Sequence, residues 1–247
     1  MKNYLKMLFV LAVLAVYTSC NSNTQKTNEP ENVNSTKMDT QASSNPTTAS
    51  ATVTQNQLPL TAVEIIHTVK NYEVWKPLFD ADSTNREAAG LETITIGREL
   101  DNPNNILVVL KVSDMQKADG FMKNPKLKVV MDKAGVVSKP VSQYWNVIRN
   151  NPDSHPKEWF EVTHKVKDFA AWVKVYDEEG KEKRSADGMV DDVMARSVTD
   201  SNLIKLVFDI TDIKKAKAAI YSPEKKKLMQ SAGVIGVPEI KFYKQGE

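Results

Sequence analysis

Residues 64–80 read EIIHTVKNYEVWKPLFD, and residues 161–177 read EVTHKVKDFAAWVKVYD. Both begin with Glu, place His three residues on, and continue with Val-Lys, an aromatic, a Trp and an Asp in the same register. His67 matches His164, Trp75 matches Trp172 and Asp80 matches Asp177, each 97 residues apart. Further along the offset becomes 98: Arg86 matches Arg184, Gly90 matches Gly188, Arg98 matches Arg196 and Asp114 matches Asp212, so one residue is inserted within 178–183. Residues 124–140, NPKLKVVMDKAGVVSKP, align with 222–238, SPEKKKLMQSAGVIGVP, through their prolines, methionine and Ala-Gly-Val. Identities locked in register over this length mark an internal duplication. Each half has roughly 90 residues, enough to hold its own core.

Within the first half, Val63, Ile65, His67 and Val69 alternate on one strand face. Asn71 suits the N-cap of a helix carrying Tyr72, Trp75 and Phe79 at helical spacing. Pro77 lies inside that helix and is expected to kink or shorten it, because it lacks a backbone donor and crowds the preceding turn. Gly90 suits the helix exit. Residues 91–98 and 106–112 read as strands joined across Asp101-Asn102-Pro103-Asn104-Asn105, a turn signal. A helical stretch starts at Asp114. Its main part runs from Asn124-Pro125, a cap followed by a first-turn proline, to Ala134-Gly135. Residues 141–148 form a last strand. The order is β-α-β-β-α-β, the ferredoxin-like split βαβ arrangement, in which helices cover one face of a four-stranded antiparallel sheet. The other face cannot be left bare, because Leu107 and Val109 alternate with Ile106, Val108 and Leu110, making both faces apolar. Two halves in one chain can cover each other. The expected fold class is α+β, two tandem ferredoxin-like halves packing their sheets into an intrachain pseudo-dimeric barrel, at 58–149 and 158–247, joined by a proline-containing linker at 150–157.

The N-terminal quarter reads differently. Residues 1–19, MKNYLKMLFVLAVLAVYTS, have Lys2 and Lys6 ahead of an apolar run too short for a comfortable membrane span, which is the pattern of an export signal. Ending at Tyr17-Thr18-Ser19-Cys20, it resembles a bacterial lipoprotein signal peptide, although Tyr17 stands where a leucine-type residue is usual. The resemblance implies cleavage before Cys20 and acylation of its thiol. Cys20 is the one cysteine of the chain, so no intrachain disulfide is possible. A plain secretory signal is the alternative. Residues 20–57 are a polar stretch of Asn, Ser, Thr, Gln and Pro, expected to be a disordered tether. These readings place the protein in the bacterial cell envelope, with the outer membrane favoured. It would attach to the membrane through Cys20.

The repeat also carries a family resemblance. Each half has His-x-Val-x-Asp/Asn-aromatic-x-x-Trp, then Arg-x-x-x-Gly, then Pro…Met-x-x-Ala-Gly-Val…Pro. On these motifs, over roughly 61–147 and 158–245, each half resembles the dimeric α+β barrel superfamily, close to the antibiotic-biosynthesis-monooxygenase-like domains. The resemblance implies the ferredoxin-like fold and its pairing. Better-known relatives include cofactor-free oxygenases of aromatic polyketides and haem-degrading enzymes. The Asn/Trp/His set of the haem-degrading branch is not recognisable here at matched positions, so no catalytic assignment carries over.

Composition limits the functions. Charged residues are 26% of the chain and the net charge is only +2, which argues against a dedicated nucleic-acid binder. The cluster Lys225-Lys226-Lys227 reads as a solvated helix face. No metal-ligand spacing links His67, His155 and His164, and no glycine-rich phosphate loop occurs, so no cofactor is expected. His67 and His164, the candidate catalytic residues, can act as a base or donor in a sheet–helix pocket, or can be core histidines satisfied by a neighbour. Trp75 and Trp172 can line a pocket for a flat ligand or belong to the core. Arg86 with Arg98, and Arg184 with Arg196, can converge on an anion or pair structurally with acids such as Asp80 and Asp177. Asp191 and Asp192 are adjacent in a strand and so point apart. Three functions are consistent with these readings: a binder of a small apolar or aromatic molecule, a cofactor-free oxygenase or isomerase using a histidine, and a structural or interaction lipoprotein. The fused halves are expected to act as a monomer. A cavity reaching a histidine separates the first two from the third.

Overall fold

The computed structural model describes residues 58–246, so the signal segment, Cys20 and the tether lie outside the described residues. The first half runs β1 (Leu60–Thr68), α1 (Tyr72–Ala81), α2 (Ser83–Ala88), β2 (Leu91–Glu99), β3 (Asn105–Val112), α3 (Met115–Met122), α4 (Pro125–Lys133) and β4 (Val141–Asn150). The second repeats it as β5 (Glu158–Val166), α5 (Phe169–Glu179), α6 (Lys181–Ala186), β6 (Met189–Ser197), β7 (Leu203–Ile210), α7 (Ile213–Ile220), α8 (Pro223–Ser231) and β8 (Val234–Gln245).

Local chemistry starts each helix where the residues require it. The Asn71 side chain accepts from the amides of Glu73 and Val74, and Asp168 does the same for Ala171. Each helical connection is two short helices rather than the single helix the pattern suggests. Pro77 is not the cause: α1 continues through it to Ala81, and the second half breaks at the same place with Lys174 at the matching position. The break falls where the chain turns back so that an arginine can serve the end of the preceding helix. Arg86 donates to the Phe79 carbonyl at 2.6 Å, and Arg184 donates to that of Tyr176 at 2.8 Å, satisfying carbonyls that a helix end leaves open. Gly180, with φ +80°, forms the second-half break at the place Asp82 takes in the first half.

The eight strands close into one antiparallel barrel in the order β1-β3-β2-β8-β5-β7-β6-β4. Each half supplies the four-stranded order β4-β1-β3-β2 or its copy. The halves do more than press faces together, because their edge strands also pair. Gly97, Arg98 and Glu99 of β2 meet Gln245, Lys244 and Tyr243 of β8, and Trp145 to Asn150 of β4 meet Ser197 to Val193 of β6. Closure leaves no free sheet edge. The alternation read at β3 separates two cores. Ile106, Val108 and Leu110 pack outward with Val63, Tyr72 and Trp75 under the helices, while Leu107 faces the barrel interior with Trp159 and Tyr243.

Candidate functional site

His67 and His164 lie on the outward faces of β1 and β5, at 6% and 4% exposure. His67 meets Trp75 with ring centroids 5.4 Å apart and 57° between planes, and His164 meets Trp172 at 5.3 Å and 56°. Each tryptophan stacks on the next aromatic of its helix, Phe79 at 4.8 Å and Tyr176 at 5.4 Å. The duplication has preserved this geometry along with the residues.

The arginines cap the same aromatic rows, one at each end. In the first half Arg98 sits 4.1 Å from the Tyr72 ring centre and Arg86 sits 3.6 Å from that of Phe79. In the second, Arg196 covers Phe169 at 4.0 Å and Arg184 covers Tyr176 at 3.9 Å. Tyr72 and Phe79 are seven residues apart on one helix, about 10 Å. The two arginines of a half are therefore not brought together around a shared anion, and each gains a cation–π contact instead. Their acidic partners also differ from those suggested by sequence proximity. Arg184 grips Asp191 with two bonds of 2.6 Å and lies 3.5 Å from Glu179, whereas Asp177 pairs with Arg149 and Asp80 with Lys76. Arg98 reaches Glu73 at 3.3 Å.

Neither ring nitrogen of His67 or His164 has a hydrogen-bond partner among the described residues. Burial lowers both pKa values to about 4, so each imidazole is neutral near pH 7 and offers one donor and one acceptor. No carboxylate orients either ring in the manner of a base–carboxylate couple, and a group titrating near 4 is a poor general base at neutral pH. The second half adds a cavity of about 50 Å³ that touches the His164 ring. Its walls are mostly apolar, with Trp172, Met189, Leu206, Phe208 and Met229, and Arg184, Glu179 and Lys225 stand at one side. This is room for a few waters or a short apolar group.

Two further polar groups were not legible as such. Glu64 and Glu161, the first residues of the repeated stretches, point into the barrel. They share Lys205 of β7, which contacts Glu64 and lies 2.6 Å from Glu161. All three are buried. Burial, and then the Glu161 carboxylate, push Glu64 up to about 7 against the pull of Lys205. The first half has Leu107 at the position of Lys205, so this ion cluster breaks the pseudo-symmetry and ties β1 of one half to β7 of the other. The one signal for it in the sequence was a lysine in the apolar run LIKLVF. Asp191 and Asp192 point apart, the first to Arg184, the second toward Asp209. Burial, then Asp209, raise Asp192 to about 7. Ser154 donates to Asp209 at 2.7 Å. Among the described residues no group of three or more His, Cys, Asp or Glu side chains is arranged to hold a metal ion.

No protein-family model and no curated protein matches the sequence. Solved structures do match in three dimensions. A candidate monooxygenase from Fusobacterium nucleatum is similar with a TM-score of 0.52 at 10% identity, over 77% of this chain and 94% of that one. An anthrone oxidase-like protein is similar with a TM-score of 0.52 at 12% identity, over 76% of this chain and 92% of that one. At such identities the likeness is one of fold. The chain shares with these structures its fold, a closed barrel built from two tandem ferredoxin-like halves.

Proposed function

We propose that the protein is a membrane-tethered envelope lipoprotein whose second half binds a small, largely apolar ligand in the cavity at His164. One observation carries the binding reading: a histidine 4% exposed, with both ring nitrogens unpartnered, lines a mostly apolar cavity with charged side chains in its wall. A buried polar group without a partner is costly, and a ligand bearing one hydroxyl or carbonyl on an apolar body would satisfy it while filling the cavity. Trp172 and Tyr176 would form the flat wall. The tether reading rests on residues 1–57. A chain of 37 mostly polar residues after Cys20 would span roughly 30 Å between membrane and barrel on average.

The test is a titration of the full chain, with isotope-labelled histidine, against phenol and 1-hexanol, read by NMR. The His164 ring resonances are expected to shift saturably while those of His67 stay fixed. Invariant His164 signals, or equal drifts of both histidines, would remove the reading. A second function, a cofactor-free monooxygenase or isomerase with His164 as base, is supported by the fold shared with the Fusobacterium protein. The lowered basicity of the imidazole weighs against it, so binding without turnover is the better-supported function.

A further inference from the structure

An open groove of about 670 Å³ lies against the outer surface of the second half, lined by side chains that include Glu178, Lys183, Ser222 and Glu224. Val175, Glu179, Lys225 and Leu228 line both this groove and the inner cavity at His164. The two spaces therefore share a wall, and its polar part is an ion pair. Lys225 of α8 contacts Glu179, the last residue of α5, and the two are 9% and 12% exposed. We infer that the groove is the entrance of the His164 site and that the Glu179–Lys225 pair is its gate, with Gly180 as the hinge. This rests on the binding function proposed above.

Three features distinguish this corner from a structural ion pair that the fold requires. First, the first half has Leu127 where Lys225 stands, so it cannot form the pair, yet that half builds the same helices. Second, Gly180 joins the two helices where Asp82 joins them in the first half. It holds φ +80°, a conformation open to glycine, so the joint between α5 and α6 has more backbone freedom than the one at Asp82, which lies at φ -91°. Third, opening need not strand a charge. Glu179 retains Arg184 at 3.5 Å, and Lys225 can swing on its flexible stem toward Glu224 and Glu178 at the groove, neither of which forms an ion pair among the described residues. Breaking a buried pair is expensive mainly when one partner is left uncompensated, and this arrangement avoids that.

The test labels the full chain with diethyl pyrocarbonate, which acylates accessible imidazoles, and follows each histidine by mass spectrometry. His67, equally buried but without the pair, is the internal control. Two variants remove the gate: Glu179→Gln, and Lys225→Leu, which installs the first half's own residue and leaves Glu179 to Arg184. Labelling of His164 is expected to run about tenfold faster in either variant while His67 keeps its wild-type rate, as local rather than global opening requires. The inference is overturned if His164 labels at the wild-type rate in both variants. It is equally overturned if His67 accelerates in parallel, which would mean the pair only holds the fold. Because no ligand enters this assay, it can succeed when the phenol and hexanol titration fails, and fail when that titration succeeds.

Discussion

Replacing Lys205 with leucine, the residue at the matching position of the first half, tests the account of the barrel interior most directly. Lys205, Glu64 and Glu161 are 6%, 7% and 6% exposed, so the substitution leaves two carboxyl groups buried side by side without their cation. Removing one partner of a buried ion pair costs about 3–5 kcal/mol. The cost must depend on pH, since buried carboxyls can escape it by taking up protons. Glu64 already has a folded pKa raised to about 7 from 4.5, and loss of the Lys205 charge removes an influence that lowers it. A carboxyl with a raised folded pKa contributes its full stability below the unfolded value and loses it as pH rises. The rate of loss is about 1.4 kcal/mol per pH unit for each group held neutral. One additional carboxyl held neutral between pH 5 and pH 8 widens the gap to wild type by about 4 kcal/mol, in line with the pair-breaking figure. Urea denaturation of the full-length Lys205→Leu variant and wild type should therefore show a small difference at pH 5 and roughly 3–5 kcal/mol at pH 8. A loss of equal size at both pH values would refute the reasoning, because it would come from packing and not from stranded charge. The triple variant Glu64→Leu, Glu161→Leu and Lys205→Leu should recover wild-type stability or exceed it, as buried ion clusters replaced by apolar groups often do.

The histidines act in the opposite direction. Their folded pKa values of about 4 lie below the unfolded 6.5, so the stability they contribute is present above pH 6.5 and lost toward pH 4, at most about 3 kcal/mol each. Between pH 4.5 and 6.5 this loss on acidification offsets the gain from Glu64 and Asp192, and Glu64→Gln with Asp192→Asn should expose a steeper acid-side decline in urea midpoints. Gly97 faces Trp159 across the barrel interior, and a Cβ there would lie 2.7 Å from the indole, so Gly97→Ala should cost roughly 1–3 kcal/mol by overpacking, visible as a lowered melting temperature. Arg86 has a buried Nε without a partner, and the first half has Thr93 where Asp191 grips Arg184. Thr93→Asp should supply that acid and raise the melting temperature, whereas Asp191→Asn should lower it.

The repeat, the strand order along the chain, the helical character of the connections and the shared face of each strand's residues were legible in the chain alone. Those follow from period, caps and turn residues within some twenty positions, and from identities at a fixed offset. The sequence also set each His close to the following helix, since two or three residues separate the strand end from the helix it feeds. How the edge strands β2 with β8 and β4 with β6 close the ring emerges in three dimensions, because residues joined there lie 43 to 148 positions apart and their pairing depends on sheet twist. Closure in turn placed Glu64, Glu161 and Lys205 on one interior point, although they come from three strands and both halves. The arginines could be matched between halves but not located, since the break after α1 and α5 sends one to each end of an aromatic row. The cavity depends on side-chain volume at many distant positions. The charged part of the wall at His164 comes from substitutions such as Lys225 for Leu127, whose meaning appears only when the helices are in place.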